Sequence, residues 1–211
     1  ISIFFMFCGN NENISEDNVI KEYTYKIEEL KIKSGNNEIW GQIYTPDNLK
    51  KRAKTIIISH GFNGSYEFGL YYAEELVKKG YVVYVFDYIN GSTISKSGNN
   101  TREMSIFDQV RQLKDVSFEL IKQKYVDKDN LYLIGHSQGG LVSAIMASEN
   151  KDIIKGLVLL APGFAIADYI SQFFESAGNI PESSTFLNAT VGRKYIEELL
   201  GYDVFEKVIK F

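Results

Sequence analysis

The chain has 211 residues, 45% of them hydrophobic and 24% charged, with a formal net charge of -4, which suits a single compact domain around one sizeable core. Lys and Arg are scattered and the balance is acidic, so no basic stripe exists for a phosphate backbone and nucleic acid is not an expected partner. One cysteine, Cys8, and two histidines give neither an internal disulfide nor a Cys/His cluster with zinc-ligand spacing, so no metal or cofactor is expected.

Residues 1–7 form an apolar run too short to span a bilayer, directly before Cys8-Gly9-Asn10. This reads as the end of a secretion signal, with residues 1–21 as signal remnant and polar tether and Cys8 as a lipid-anchor site; the competing reading is a sticky N-terminal strand. The first predicts a secreted or membrane-anchored bacterial lipoprotein, the second a cytoplasmic protein.

From residue 22 the patterning is that of a folded domain. Tyr23 to Lys33 alternates apolar and polar residues with the period of a half-buried strand, Ser34-Gly35-Asn36-Asn37 is a turn, and Glu38 to Tyr44 returns as the hairpin partner. Beyond Lys54 the strands become short, β-branched and solidly apolar: Thr55 to Ile58, Tyr81 to Phe86, Leu131 to Ile134 and Leu157 to Leu160. Such runs predict strands buried on both faces of a parallel sheet. Helical periodicity fills the gaps, over Tyr71 to Lys79 with a stop at Gly80, and over Ser105 to Lys124. Alternating strand and helix predicts a doubly wound, mainly parallel α/β sheet with an antiparallel N-terminal hairpin. Residues 164–192, with Gly178, Pro181 and Ser183-Ser184-Thr185, read as an insertion outside that sheet.

The predicted strand Leu131 to Ile134 runs straight into Gly135-His136-Ser137-Gln138-Gly139-Gly140, and a helix follows. Gly-x-Ser-x-Gly between strand and helix is a nucleophile elbow: a strained turn lifts the serine hydroxyl clear of the sheet, and glycines let strand and helix approach. Ser137 is therefore the candidate nucleophile. A second strand ends in His60-Gly61-Phe62-Asn63-Gly64, which assigns the backbone amides of Phe62 and Gln138 as the oxyanion hole. His60 is expected to brace its own loop, and Asp87, at the end of its strand, to be another loop-bracing group. His136 adjoins Ser137 at a sharp turn and is a poor partner for it. Neither histidine is expected to be a catalytic base.

Ser59-His60-Gly61-Phe62, Phe86-Asp87-Tyr88, Met104-Ser105, the elbow and Leu160-Ala161-Pro162 together resemble bacterial α/β-hydrolases of the cinnamoyl and feruloyl esterase type, close to the serine-aminopeptidase-like and lysophospholipase-like hydrolases. The resemblance covers about residues 22–211. It implies an α/β-hydrolase fold with a small cap over residues 164–192, where Phe173, Phe174 and Phe186 would wall an acyl site, and a serine hydrolase acting on small carboxylic esters through an acyl-enzyme. It also implies an Asp after the next strand and a late His. Those triad partners have no matching positions in this chain, and Asp168 is only a displaced candidate for the acid. The chain is accordingly expected to lack the last strands of the fold and to be a fragment of a secreted or lipid-anchored esterase with little activity of its own. The alternative is a degenerate, non-catalytic binding module on the same fold.

Overall fold

A computed structural model describes residues 22–208; the expected signal remnant and Cys8 lie outside the described residues. The N-terminal hairpin forms, but its long first strand does not. Tyr25–Glu29 (β1) pairs antiparallel with Gly41–Pro46 (β4), while Ile32–Ser34 (β2) and Asn37–Ile39 (β3) make a separate two-stranded ribbon. The ribbon turns at Gly35, whose φ of +59° suits a residue without a side chain. Breaking the strand lets Ile32 and Ile39 enter the core, at 1% and 0% exposure. β1 is a sheet edge, and Ile27 on it is 47% exposed rather than half-buried.

Ala53–Ser59 (β5), Val82–Phe86 (β6), Val126–His136 (β7) and Ile154–Leu160 (β8) are parallel, in the order β1-β4-β6-β5-β7-β8. The period-2 alternation of the central strands splits the core into two faces. Ile57, Tyr84, Phe86, Leu131 and Leu133 face Ile106–Leu120 (α2) and Gln138–Glu149 (α3). Ile56, Ile58, Val83, Val85 and Ile134 lie on the other face, with Ala73 and Val77 of Leu70–Lys78 (α1). Helix ends follow local chemistry. The Ser105 hydroxyl caps α2 by accepting from the Asp108 amide, and the chain leaves α1 through Gly80 at φ +91°.

β8 departs from the sequence expectation of burial on both faces. Val158 is 50% exposed, and Tyr132, Ile134 and Val158 border an open apolar groove with Ile56, Leu76 and Tyr81. Among the described residues α1 covers only the β4–β6 side of that face.

Beyond β8 the chain forms Ile166–Phe173 (α4), then the hairpin of Ser183–Phe186 (β9) and Ala189–Gly192 (β10), separate from the main sheet, then Arg193–Leu199 (α5) and Val204–Val208 (α6). The connectivity positions the site. From β5 the chain crosses to β6 on one side, whereas from β7 it crosses to β8 on the other. The carboxyl ends of β5 and β7 therefore meet at a topological switch point, where doubly wound sheets open a crevice.

Candidate active site

At the β7–α3 junction Ser137 adopts φ 51° and ψ -122°. A non-glycine residue there stores roughly 1–3 kcal/mol of strain and persists only where its surroundings over-determine it. They do so from both sides. The Ser137 amide donates to the Leu160 carbonyl at 3.0 Å, and the Ser137 carbonyl accepts from the Gly163 and Gly140 amides at 2.7 and 2.9 Å. The elbow glycines are steric requirements. A Cβ on Gly135 would lie 2.7 Å from Gly140 Cα, and one on Gly139 would run into the Ser59 and His60 carbonyls.

The His60-Gly61-Phe62 loop at the end of β5 lies against the elbow: a Cβ on Gly61 would be 3.0 Å from Ser137 Cβ. His60, 2% exposed, has both ring nitrogens engaged, one by its own loop and one by the chain after β6. Nε2 accepts from the Tyr88 amide at 3.3 Å, which fixes the proton on Nδ1, and Nδ1 donates to the Gly61 carbonyl at 2.8 Å. Burial holds its pKa below the ordinary imidazole value. The bracing role expected for Asp87 is also present. Fully buried, it accepts from the amides of Tyr66 at 2.6 Å and Lys96 at 2.8 Å.

These bonds orient the two amides assigned to the oxyanion hole. In a trans peptide the C=O and the following N–H point in opposite directions. Tying the Gly61 carbonyl to His60 Nδ1 and to the Gly64 amide, 3.1 Å away, turns the Phe62 N–H outward. Tying the Ser137 carbonyl to Gly163 and Gly140 does the same for the Gln138 N–H. Among the described residues neither the Phe62 nor the Gln138 amide has an acceptor. Gln138 also opens α3, so the positive end of that helix dipole lies at this turn.

The proton acceptor is a different matter. Ser137 Oγ has no hydrogen-bond partner among the described residues, His60 is fully engaged, and the His136 ring stacks on Phe68 with centroids 4.4 Å apart. Asp168 is exposed on α4 and lines a cavity of about 340 Å³ with Phe164, Ala167, Ser171, Tyr202 and Phe205, a lining that includes neither histidine. Phe173 is 61% exposed against Tyr169, and Phe174 and Phe186 pack half-buried on the core; none of the three lines that cavity.

Three residues that sequence reasoning passed over belong to this site. Gly163 supplies the clamp on the Ser137 carbonyl, and Gln109 and Tyr195 hold the Gln138 side chain. Gly163 directly follows the Ala-Pro pair already singled out, so the sequence marked its neighbourhood without marking its role, whereas Gln109 and Tyr195 lie outside the segments that carry the resemblance.

The sequence profile of the family described as serine aminopeptidase, S33, matches residues 50–199. In fold, the chain is similar to Est1E from Butyrivibrio proteoclasticus in its ferulic acid complex, at 23% identity and a TM-score of 0.74, over 86% of this chain and 75% of that one. It is also similar to the hypothetical protein PA2218 from Pseudomonas aeruginosa, at 12% identity and TM-score 0.72 over 88% and 74% of the two chains. The α/β hydrolase GrgF from Penicillium sp. sh18 superimposes with TM-score 0.67 at 14% identity, over 87% and 75%.

Proposed function

Taking as premise that this chain belongs to the serine aminopeptidase S33 family of α/β-hydrolases, we propose that it is a serine hydrolase for small carboxylic esters with Ser137 as nucleophile. One observation carries the reading: a strained serine at a strand-helix elbow, beside two oriented amides that have no acceptor among the described residues. In the reaction Ser137 Oγ attacks the acyl carbonyl, and the resulting oxyanion accepts from the Phe62 and Gln138 amides. Collapse expels the alcohol and leaves an acyl-Ser137, which water hydrolyses. Each amide would supply its stabilisation where charge develops, an effect worth about a hundredfold or more in rate per donor. The likeness to Est1E, whose complex holds ferulic acid, points the substrate class towards aromatic acyl groups. A lipid anchor at Cys8 remains part of the proposal for where the protein acts.

The serine must lose a proton, and neither histidine is placed to take it. That observation supports a second reading, a binding module that retains the pocket without turnover. Incubation with p-nitrophenyl acetate followed by intact-mass spectrometry separates the two. Acetylation at Ser137, absent from Ser137→Ala, supports the hydrolase. No adduct and no p-nitrophenol release above that variant would replace it with the binding module.

A further inference from the structure

The side chain of Gln138 points inward, away from the site its backbone amide serves, and it is tied at both ends. Its Oε1 accepts from Tyr195 Oη at 2.7 Å, and its Nε2 donates to Gln109 Oε1 at 2.8 Å. All three residues are buried, at 1%, 3% and 1% exposure for Gln138, Tyr195 and Gln109. The Tyr195 ring meanwhile rests on the ring of Phe62, with centroids 5.9 Å apart and planes inclined by 59°. One tyrosine thus touches the side chains of both residues whose amides face the elbow.

Tyr195 sits on α5, which the cap holds. Neighbouring Arg193 donates from its guanidinium to the Ile180 and Ala177 carbonyls at 2.8 and 2.6 Å. Burial raises the Tyr195 phenol well above its ordinary pKa, so it stays a protonated donor at any working pH. Without it, Gln138 Oε1 would be a buried acceptor lacking a partner, a penalty that a shift of the side chain and of the first turn of α3 would relieve. Displacements of the order of an ångström at such a turn are felt in rate rather than in binding.

We propose that Tyr195 is a positioning residue for the oxyanion hole: through Gln138 and Phe62 it fixes both anion-binding amides and couples them to the cap. The proposal rests on the hydrolase reading above, and the test separates the two. The whole chain is treated with an alkyl fluorophosphonate. Ser137 Oγ forms a bond to phosphorus, fluoride leaves, and the hydroxyl proton goes to solvent. Intact-mass spectrometry gives kinact and KI for the parent, Tyr195→Phe, Gln138→Met and the double variant. Tyr195→Phe keeps the ring on Phe62 and removes only the Oη bond; Gln138→Met keeps the backbone amide and removes the side-chain bonds.

Each single variant is expected to lower kinact by about ten- to a hundredfold with KI within about twofold of the parent. The double variant should lose no more than the worse single, because both changes cut one connection. A kinact within twofold of the parent in Tyr195→Phe, or losses in the two singles that multiply in the double, would overturn the proposal while leaving the hydrolase reading intact. Should Tyr195→Phe fail to fold by circular dichroism, Gln138→Met decides alone by the same kinact criterion. A parent that is not labelled at Ser137 overturns the hydrolase reading, and the role of Tyr195 with it.

Discussion

The Gly163 amide donates a 2.7 Å hydrogen bond to the Ser137 carbonyl, and three residues earlier the Leu160 carbonyl takes the Ser137 amide at 3.0 Å. The turn after β8 thereby grips the elbow serine by both of its backbone groups. A side chain at 163 would intrude on this arrangement. Its Cβ would stand 2.6 Å from Ile166 Cδ1, which can move, and 3.2 Å from the Gln138 nitrogen, which cannot move without turning α3. Gly163→Ala is therefore expected to slow acylation of Ser137 about tenfold or more by crowding the Gln138 amide proposed for the oxyanion. The loss of stability in urea unfolding should be only about 1–2 kcal/mol.

Strain at Ser137 gives a second expectation. At an ordinary position Gly is roughly 0.5–1 kcal/mol less favourable than Ala. At φ 51° and ψ -122° the order should reverse, because Ala keeps the Cβ that makes the conformation costly. Ser137→Gly is expected to melt at or above Ser137→Ala in differential scanning calorimetry, with both variants inert towards p-nitrophenyl acetate. A glycine variant clearly less stable than the alanine would show that the elbow carries no such strain.

His60 makes stability depend on pH. Its folded pKa lies below the unfolded value of about 6.5, because burial penalises the charged ring. The unfolded chain therefore binds the proton first as pH falls. The His60 contribution is fully present above about pH 6.5 and declines as pH drops from there towards the folded pKa, by at most about 1.4 kcal/mol per pH unit. Urea midpoints measured at about pH 7.5 and pH 5 should differ more for the parent than for His60→Asn. Equal differences would remove His60 from the account.

The Ser137 hydroxyl, without a hydrogen-bond partner among the described residues, leads to a rescue experiment. If the elbow and its amides are in place and only a proton acceptor is lacking, a small diffusible base should supply part of the missing function. Added imidazole is expected to raise Ser137 acylation about tenfold, after subtraction of the imidazole reaction seen with Ser137→Ala. An unchanged Ser137-dependent rate would mean that the elbow itself is not competent.

The sequence by itself determined the parallel sheet and the place of Ser137, because both rest on local chemistry. Solid β-branched runs such as Thr55 to Ile58 suit only buried strands, and Gly135 and Gly139 stand where no side chain fits between β7, α3 and the β5 carboxyl end. His60 as a brace was legible for the same reason, its main acceptor being the next residue in the chain. Tertiary structure alone decided what depends on distant partners. The break at Trp40 that splits the first hairpin follows from its amide bonding to Ser97 Oγ, 57 residues away, at 2.8 Å. The open face of β8 depends on which helices reach it, and α1 packs at the far, β4–β6 end of that same face. The links from Tyr195 and Gln109 to Gln138 span 57 and 29 residues. No periodicity or motif spacing encodes such contacts; they exist because β5 and β7 meet at the switch point and the segment after β8 returns α5 to lie beside them.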